Sequence, residues 1–569
     1  MGRWLICAAW PYAYSVPHLG NIIGSVLSAD VIARFLRLKG EDVVFVSGSD
    51  EYGVRMEFEA LKQGVTPKEL VDRNHKLISE CFKKFGISFD RYSRTTSSKH
   101  AEFVRGFYKR LYELGYIFTR EEEYPYCEKC RRFLPDRFIE GICPYCGYEE
   151  ARGDQCENCG RILDPSSLLQ PRCAMCGSKP VKRKSLHWYL NLPLLEEKVK
   201  EYVKNSVHWP PNVKNYTEML LKEGLKPRPI TRDISWGIPA PFPGSEGKTI
   251  YCWAEAVLGY ISATIEWAEK NGRNWRDYWI NKETKSIYFI GKDNIPFHSI
   301  LLPALLIASN EGYVLPWQIS ATEFLCFEGK KFSKSRRIGI WVDEALELLE
   351  PDYWRFYLLL IRPEKRDTNF MWDEFTDVIN NKLIASYGNF VYRVLSFTDR
   401  YFKGVIPKPG EFKEVDKNAV EKWRKTVKEI EGHLVKIEIK KAVEKLLKLT
   451  DVGNEYFQAK EPWKAVKEKV EGANTTIYIC VNMCASLAIA SEPFIPFTSE
   501  RIWKALNMDG SVHKQKWEKA YEFLVKPGHK IGKPVILFRK LDKKALLERL
   551  NEIRRLGEAG EWKRSTSAG

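Results

Sequence analysis

The sequence predicts an α/β chain in which a parallel sheet is split by a cysteine-rich insert and followed by an α-helical bundle. Three observations carry this: strand and helix alternate in two separate stretches, eight cysteines crowd the region between them, and long amphipathic helices fill the last third. Leu5–Ala8 is a short apolar run ending in a loop rich in Pro and Tyr. Asn21–Leu38 has helical periodicity, with Ile22, Val26, Ala29, Ala33 and Leu36 on one side. Gly40 ends that helix, and Val43–Val46 reads as a second buried strand. Strand–loop–helix–strand order implies parallel strands joined by a right-handed crossover, with ligands at their carboxyl ends.

At about Tyr116 the pattern breaks into a Cys-, Gly- and Pro-rich stretch that runs to Pro229. From Ile230 the alternation returns, and Ile287–Ile290 forms a strand ending in Gly291-Lys292-Asp293. After Met371 the periodicity is helical. The loop Gly404–Gly410 separates helices, Ala419–Leu449 and Ala473–Ala490 are long enough for a bundle, and Lys543–Leu556 is a last charged helix before a polar tail. Neither a solenoid repeat nor a low-complexity tract is present.

At 569 residues the chain exceeds what one core usually holds, and 44% hydrophobic with 29% charged residues marks it as globular. Its 90 basic against 74 acidic residues leave +16, an excess that suits a polyanionic partner or a basic surface alone. The N-terminus has a proline-punctuated loop where a secretory leader would have an apolar helix, and no uninterrupted apolar run reaches the ~18 residues of a membrane span. The expectation is a cytoplasmic protein with no membrane partner.

Of 14 cysteines, eight form four Cys-x-x-Cys pairs: Cys127/Cys130, Cys143/Cys146, Cys156/Cys159 and Cys173/Cys176. Two such pairs supply the four thiolates of one tetrahedral zinc, so eight match two structural Zn²⁺ ions. Four thiolates leave no open position for water, which excludes these metals as the catalyst. Spacing alone allows neighbouring or nested pairs to share an ion. Cys7, Cys81, Cys252, Cys326, Cys480 and Cys484 read as packing residues.

Two short segments suit nucleotide chemistry. His18-Leu19-Gly20-Asn21 opens the first helix, where free N–H groups and the helix dipole favour an anion; Gly20 permits close approach, and His18 and Asn21 offer donors. Lys331-Phe332-Ser333-Lys334-Ser335 places two lysines in a loop, suited to charge developing on a triphosphate.

Together these segments resemble the "HIGH" and "KMSKS" signatures of class I aminoacyl-tRNA synthetases, and over nearly the whole chain the resemblance is to the methionyl family, in its archaeal and eukaryote-like form with four zinc knuckles. It implies a split Rossmann catalytic domain with a zinc-knuckle insert, followed by an α-helical anticodon-binding bundle. The implied boundaries are 1–115 and 230–325 for the two Rossmann halves, 116–229 for the insert, 326–370 for the signature-loop and stem-contact region, 371–540 for the anticodon-binding domain, and 541–569 for the C-terminal helix and tail. The large editing domain of the valine, isoleucine and leucine enzymes has no room here.

The resemblance also implies site residues. Ala9, Trp10, Tyr12, Asp50, Trp253, Ala256, Tyr260, Phe297 and His298 are expected around L-methionine, with Asp50 on its amino group. An aromatic wall suits a polarizable thioether. His18, Gly20, Asn21, Gly291, Asp293, Lys331, Ser333 and Lys334 are expected around ATP and its Mg²⁺, with Asp293 on the ribose. His18, Asn21, Arg232, Lys331 and Lys334 are expected to act in activation, and Asn389, Arg393 and Trp463 to read the anticodon of tRNA(Met). In family members with one zinc the middle pairs are retained, which favours nesting: Cys143, Cys146, Cys156 and Cys159 on one ion, Cys127, Cys130, Cys173 and Cys176 on the other.

The departures are Asn21 for the second histidine of the first signature, Phe332 for methionine in the second, and Tyr14 for the usual asparagine. Trp10 and Leu302 exchange the large and small residues common in the family, an exchange that conserves pocket volume if the two lie together. Nothing resembling the oligonucleotide-binding domain appended to many members follows the bundle; a separate tRNA-binding partner carrying that domain in trans, or none, would fit.

Overall fold

The computed structural model describes residues 2–153, 156, 158, 163, 167–333, 336–467 and 472–558. Five parallel strands form the central sheet: β1 (Arg3–Ala8), β2 (Asp42–Ser49), β3 (Arg91–Arg94), β4 (Lys285–Gly291) and β5 (Gln318–Thr322). Their order, β5-β4-β1-β2-β3, places the strand order's reversal between β1 and β4. Ligands of open α/β sheets sit at such a switch point, beyond the carboxyl ends of the strands. Leu5, Ile6, Cys7 and Ala8 are fully buried, as are Val44, Phe45 and Val46, which accounts for their uniformly apolar character.

The single helix expected over Asn21–Leu38 is two. Leu19–Gly24 and Val26–Leu38 are separated at Ser25, whose backbone is non-helical (φ −135°, ψ −81°). The Ser25 hydroxyl donates to the Asn21 carbonyl at 3.1 Å, so a side chain takes over at the break. The expected helix Ala419–Leu449 is likewise two, Glu414–Val435 and Ile439–Lys460. Ile437 sits at the turn with φ 59°, a conformation a β-branched residue rarely adopts and no Gly or Pro announces. Buried side chains on both arms, among them Trp423, Ile430, Leu446 and Tyr456, hold the hairpin closed.

The insert is built on the antiparallel strands Ile117–Cys127 and Val181–Leu190, paired from Ile117↔Leu190 to Tyr126↔Val181. Beyond them, Ile139–Ile142, Ala151–Arg152 and Leu169–Cys173 form a small three-stranded sheet among the cysteines. Its apolar cluster includes Val54 and Phe58 of the helix Val54–Lys62, which begins just after β2, so the insert is seated directly behind one wall of the sheet's carboxyl end. The Arg132–Glu57 ion pair at 2.9 Å reinforces that seat.

The helical part joins the sheet through a buried charge network. Arg355 bonds Asp30 at 2.7 Å, Arg34 bonds Asp30 at 2.8 Å and Glu492 at 2.6 Å, and Arg355 also donates to the Phe494 carbonyl at 2.8 Å. Burial opposes the Asp30 charge, but Arg34 and Arg355 overcome it and lower its pKa to about 2. Ala473–Ser491 is apolar and long enough to cross a membrane, yet it lies inside the helical bundle, with Ile477, Cys480, Cys484 and Leu487 fully buried.

Candidate active site

The site begins where β1 and β2 end. Their main chains stay paired beyond the sheet: Asp50 N–H donates to the Pro11 carbonyl at 2.9 Å and Ala13 N–H to the Asp50 carbonyl at 2.8 Å. Ala9 N–H donates to the Phe289 carbonyl at 2.9 Å, which ties the same loop to β4. These bonds set Tyr12 opposite Asp50. The next residue, Glu51, is fully buried and takes hydrogen bonds from Ser49 Oγ (2.6 Å), Arg94 Nε (2.8 Å) and Thr96 Oγ1. Its own N–H donates to Thr95 Oγ1. Asp50 is thus held rigidly with its carboxylate inward. It is only 4% exposed, and its Oδ1 has no hydrogen-bond partner among the described residues. Burial and the nearby Glu255 push its pKa up, so a cation arriving at Oδ1 would relieve an unfavourable environment.

Trp10 fills the space beside it. A Cβ placed on Gly48 would lie 2.6 Å from the indole Cζ3, and one on Gly259 would lie 2.7 Å from Cζ2, so the ring is clasped between two glycines. Tyr260 meets Trp10 edge-on with centroids 6.2 Å apart, and His100 lies tilted at the same distance. Leu302 is fully buried in the same apolar cluster against which Trp10 packs, but it is the two glycines that accommodate the ring. Trp253 and Phe297 form a second edge-on pair at 4.3 Å, with the Arg228 guanidinium 5.2 Å over Phe297. Ala256, between Trp253 and Tyr260, is half-buried.

His298 Nδ1–H donates to the Asn294 carbonyl at 3.0 Å, which leaves Nε2 to accept from Tyr260 Oη–H at 2.9 Å. Burial lowers the His298 pKa to about 4, in keeping with a neutral ring. Behind Trp10, buried His100 bonds Glu255 Oε2 at 2.5 Å and Ser262 Oγ at 2.8 Å. Burial lowers His100 to about 3 and raises Glu255, so a single proton serves the pair. Tyr14 lies under the Arg55 guanidinium, 3.8 Å from ring centre to carbon.

The two signature segments, far apart in sequence, meet at this end of the sheet. The rings of His18 and Phe332 stack with centroids 4.2 Å apart and 9° between planes. His18 caps the helix Leu19–Gly24, and its N–H donates to Asn21 Oδ1 at 3.1 Å. A Cβ on Gly20 would lie 3.1 Å from the His18 ring and 3.3 Å from Phe332, so a larger residue would crowd the stack. His18 Nδ1 is buried without a partner among the described residues, and burial lowers its pKa to about 4. Lys331 is exposed and Ser333 half-buried; Lys334 lies outside the described residues. At the end of β4, a Cβ on Gly291 would lie 2.6 Å from Asp293 Oδ1, so glycine lets that carboxylate fold back against the strand end. Arg232 stacks over Tyr251 at 3.9 Å and donates to the Thr231 carbonyl at 3.0 Å.

The cysteines compose two candidate metal-binding clusters. The Sγ atoms of Cys127, Cys130, Cys173 and Cys176 lie within 4.8 Å of one another, and so do those of Cys143, Cys146 and Cys156; Cys159 lies outside the described residues. Sulfur separations of 3.5 Å (Cys127–Cys176), 3.9 Å (Cys130–Cys173) and 3.6 Å (Cys146–Cys156) match the ~3.8 Å edge of a tetrahedron with Zn–S bonds of about 2.3 Å. Gly147 and Gly177 follow their cysteine pairs at φ 73° and 72°, and each donates its N–H to the first cysteine of its pair. Arg131 occupies the equivalent place in the first pair at φ 52°.

In the helical region, Arg393 bridges Phe457 (4.9 Å) and Trp463 (6.0 Å) and bonds Gln458 at 3.3 Å. Asn389 is exposed one turn earlier on the same helix, Asn389–Phe402. One guanidinium and one indole thus share an accessible face of the bundle.

Two family models match the chain: "tRNA synthetases class I (M)" over residues 4–395, and "Anticodon binding domain of methionyl tRNA ligase" over residues 406–552. The chain is a member of the methionyl-tRNA synthetase family. It is 50% identical to the methionine–tRNA ligase of Thermofilum pendens over 557 residues, covering 97% of this chain and 98% of that protein. It is 52% identical to the methionine–tRNA ligase of Ignicoccus hospitalis over 556 residues, again 97% and 98% of the two chains. The fold is similar to Mycobacterium tuberculosis methionyl-tRNA synthetase bound by methionyl-adenylate, with a TM-score of 0.79 at 23% identity, covering 95% of this chain and 100% of that one. Within a methionyl-tRNA synthetase, the residues that sequence reasoning missed are Gly48, Gly259, Glu51, His100 and the role of Glu255. Gly48 and Glu51 stand in the same motif as Asp50, and Gly259 and Glu255 in that of Trp253, but only the fold shows what they touch.

Two outcomes follow. Gly259→Ala forces a methyl group into the Trp10 ring, and overpacking of this kind costs about 1–3 kcal/mol. The methionine KM in amino-acid activation rises on the order of tenfold while the KM for ATP holds; an unchanged methionine KM contradicts the clasp. Because the folded His298 pKa is depressed to about 4, its neutral ring contributes stability fully above the ordinary pKa of 6.5, and that contribution is lost as the pH falls toward 4. In ¹³C-histidine NMR its ring carbons stay unchanged from pH 8 to 5.5; a midpoint near 6.5 contradicts the assignment.

Proposed function

We propose that the chain activates L-methionine with ATP to methionyl-adenylate and transfers the methionyl group to initiator and elongator tRNA(Met), releasing AMP and diphosphate. The observation that carries this reading is the meeting of His18 with the Phe332 loop at the same end of the sheet as Asp50, whose Oδ1 has no partner among the described residues.

The methionine ammonium takes the Asp50 Oδ1 position, and the thioether lies among Ala9, Trp10, Tyr12, Trp253, Ala256, Tyr260 and Phe297, with the Tyr260–His298 pair closing the pocket. The methionine carboxylate attacks the α-phosphate; a carboxyl O–P bond forms, the α–β P–O bond breaks, and diphosphate leaves. His18 and Asn21 donate to the phosphates, Gly20 and Gly291 allow close approach of the nucleotide, and Asp293 holds the ribose. Lys331, Ser333 and Lys334 meet the charge that develops on the departing diphosphate, and Arg232 assists activation. Mg²⁺ bound with ATP would share that charge. A hydroxyl of the tRNA's terminal adenosine then attacks the methionyl carbonyl and AMP departs. No protein nucleophile is required; positioning and charge stabilisation suffice.

Asn389, Arg393 and Trp463 read the anticodon by edge contacts and stacking on splayed bases. The two cysteine clusters hold two structural Zn²⁺ ions, one on Cys127, Cys130, Cys173 and Cys176 and the other on Cys143, Cys146, Cys156 and Cys159. The protein works in the cytoplasm.

ATP–diphosphate exchange with each of the twenty amino acids tests the reading. Exchange with methionine alone is expected, and Lys334→Ala slows it at least about tenfold while methionine still binds. Exchange with none of the twenty, from folded and zinc-loaded protein with tRNA present, would favour an RNA-binding paralogue instead. Elemental analysis of the purified protein is expected to give two zinc ions per chain, falling to one in Cys127→Ser; a wild-type protein free of zinc removes the metal assignment.

A further inference from the structure

The signature loop is braced by a helix from the far end of the chain. Ser333 and Ile338 exchange two main-chain hydrogen bonds of 2.9 Å. Gly339 follows at φ 130°, and a Cβ there would lie 2.3 Å from the Phe332 ring, so this glycine makes room for the ring that stacks on His18. The next residues run alongside the first signature. Leu19 N–H donates to the Ile340 carbonyl and Val342 N–H to the Pro17 carbonyl, each at 3.0 Å, with Trp341 opposite His18.

One side chain holds this junction from outside. Arg554, on the helix Lys543–Glu558, donates Nε–H to Glu344 Oε1 at 2.8 Å and Nη2–H to Glu344 Oε2 at 3.0 Å. The same Nη2 also donates to the Gly339 carbonyl at 2.6 Å. Glu344 Oε2 in turn accepts from the Trp341 N–H at 3.1 Å. A guanidinium is the one side chain that can grip both oxygens of a carboxylate and a carbonyl in one plane. The pair is partly buried, at 23% and 18% side-chain exposure, so solvent screens it less than an ordinary surface pair.

The helix bearing Arg554 is itself anchored. Leu546, Leu550 and Ile553 are buried, and its approach is fixed where Asn380 bonds both the N–H and the carbonyl of Leu541, at 2.8 and 2.9 Å. Lys543 pairs with Asp373 at 2.7 Å. The C-terminal segment is therefore a strut from the helical bundle to the root of the signature loop.

We infer that Arg554 is a positioning residue for adenylate formation: through Glu344 and the Gly339 carbonyl it holds in place the loop whose Phe332 stacks on His18. The inference rests on the activity proposed above. It touches no reacting atom, and its effect falls on the chemical step rather than on methionine binding.

Arg554→Ala, Arg554→Lys and Glu344→Gln, each in the full chain, test it by methionine-dependent ATP–diphosphate exchange and by hydrogen–deuterium exchange of residues 329–342. In Arg554→Ala the expected loss of kcat is on the order of 10- to 100-fold, the scale of a small misplacement of catalytic groups. Methionine affinity and Tm stay close to wild type, the Ser333, Ile338 and Val342 amides lose protection, and added guanidinium ion restores part of the rate. Arg554→Lys recovers only part, because an ammonium cannot span both carboxylate oxygens and the carbonyl. If Arg554→Ala does not fold, Glu344→Gln, which keeps an oxygen for Trp341 N–H but loses the charge facing Arg554, reproduces the loss. Unchanged kcat and amide protection overturn the inference, as does a fall in Tm and methionine affinity in step with the rate. If the wild-type protein itself shows no exchange with methionine, the activity reading fails, and amide protection alone still decides whether Arg554 orders the loop.

Discussion

Everything at the candidate site hangs on the hydrogen bonds that keep the chains leaving β1 and β2 together after the sheet has ended. The Asp50 N–H to Pro11 and Ala13 N–H to Asp50 bonds continue the parallel pairing into what would otherwise be two independent loops. Buried Glu51, held by Ser49, Arg94 and Thr96, pins the second loop from below. The result is a carboxylate with one buried oxygen unsatisfied, next to an indole clasped by two glycines. Leaving such an oxygen unpaired costs about 1–3 kcal/mol or more, a cost that persists only where a ligand repays it. The same paired loops start the helix Leu19–Gly24 and so set the position of His18, against which the distant signature loop closes.

Rigidity on one side of the site is matched by layered support on the other. The insert packs Phe138 and Ile139 against Val54 and Phe58, immediately after the Asp50 loop, so the cysteine clusters stabilise the far side of that loop without approaching the chemistry. A metal held by four thiolates would suit this role, since a closed coordination shell offers rigidity and no reactivity. The C-terminal helix supports the opposite rim through Arg554. The bundle joins the sheet through Arg355 and Asp30, both fully buried, so the face that carries Arg393 and Trp463 stands in a fixed relation to the sheet.

Much of this was legible in the sequence, for identifiable reasons. Strands buried on both faces leave short, uniformly apolar runs, and Leu5–Ala8, Val43–Val46 and Ile287–Ile290 all fall inside strands one to three residues longer at one or both ends. Cys-x-x-Cys pairs and the two signatures are local patterns, readable without a fold. The break at Ile437 was not legible, because no Gly or Pro marks it, and the one at Ser25 has only Gly24 beside it, a residue that a helix also tolerates. Nested sharing of the cysteine pairs was implied only by resemblance; spacing left it open, and the fold brings Cys127 to Cys176. The clasp of Trp10 was invisible because Gly48 and Gly259 lie on different motifs, and a glycine's purpose is the neighbour it admits. Arg554 falls within what the sequence shows only as a last charged helix.

The central claim is that the orphaned Asp50 oxygen is the ammonium site of methionine. Titration calorimetry of L-methionine, and of its analogue lacking the amino group, into the wild-type protein and Asp50→Asn tests it directly. The account predicts that Asp50→Asn loses on the order of 100-fold in methionine affinity, as expected when a buried charge pair loses a partner, while the deamino analogue binds both proteins alike. Equal methionine affinity in the two proteins, with the Asp50→Asn protein folded, would contradict it.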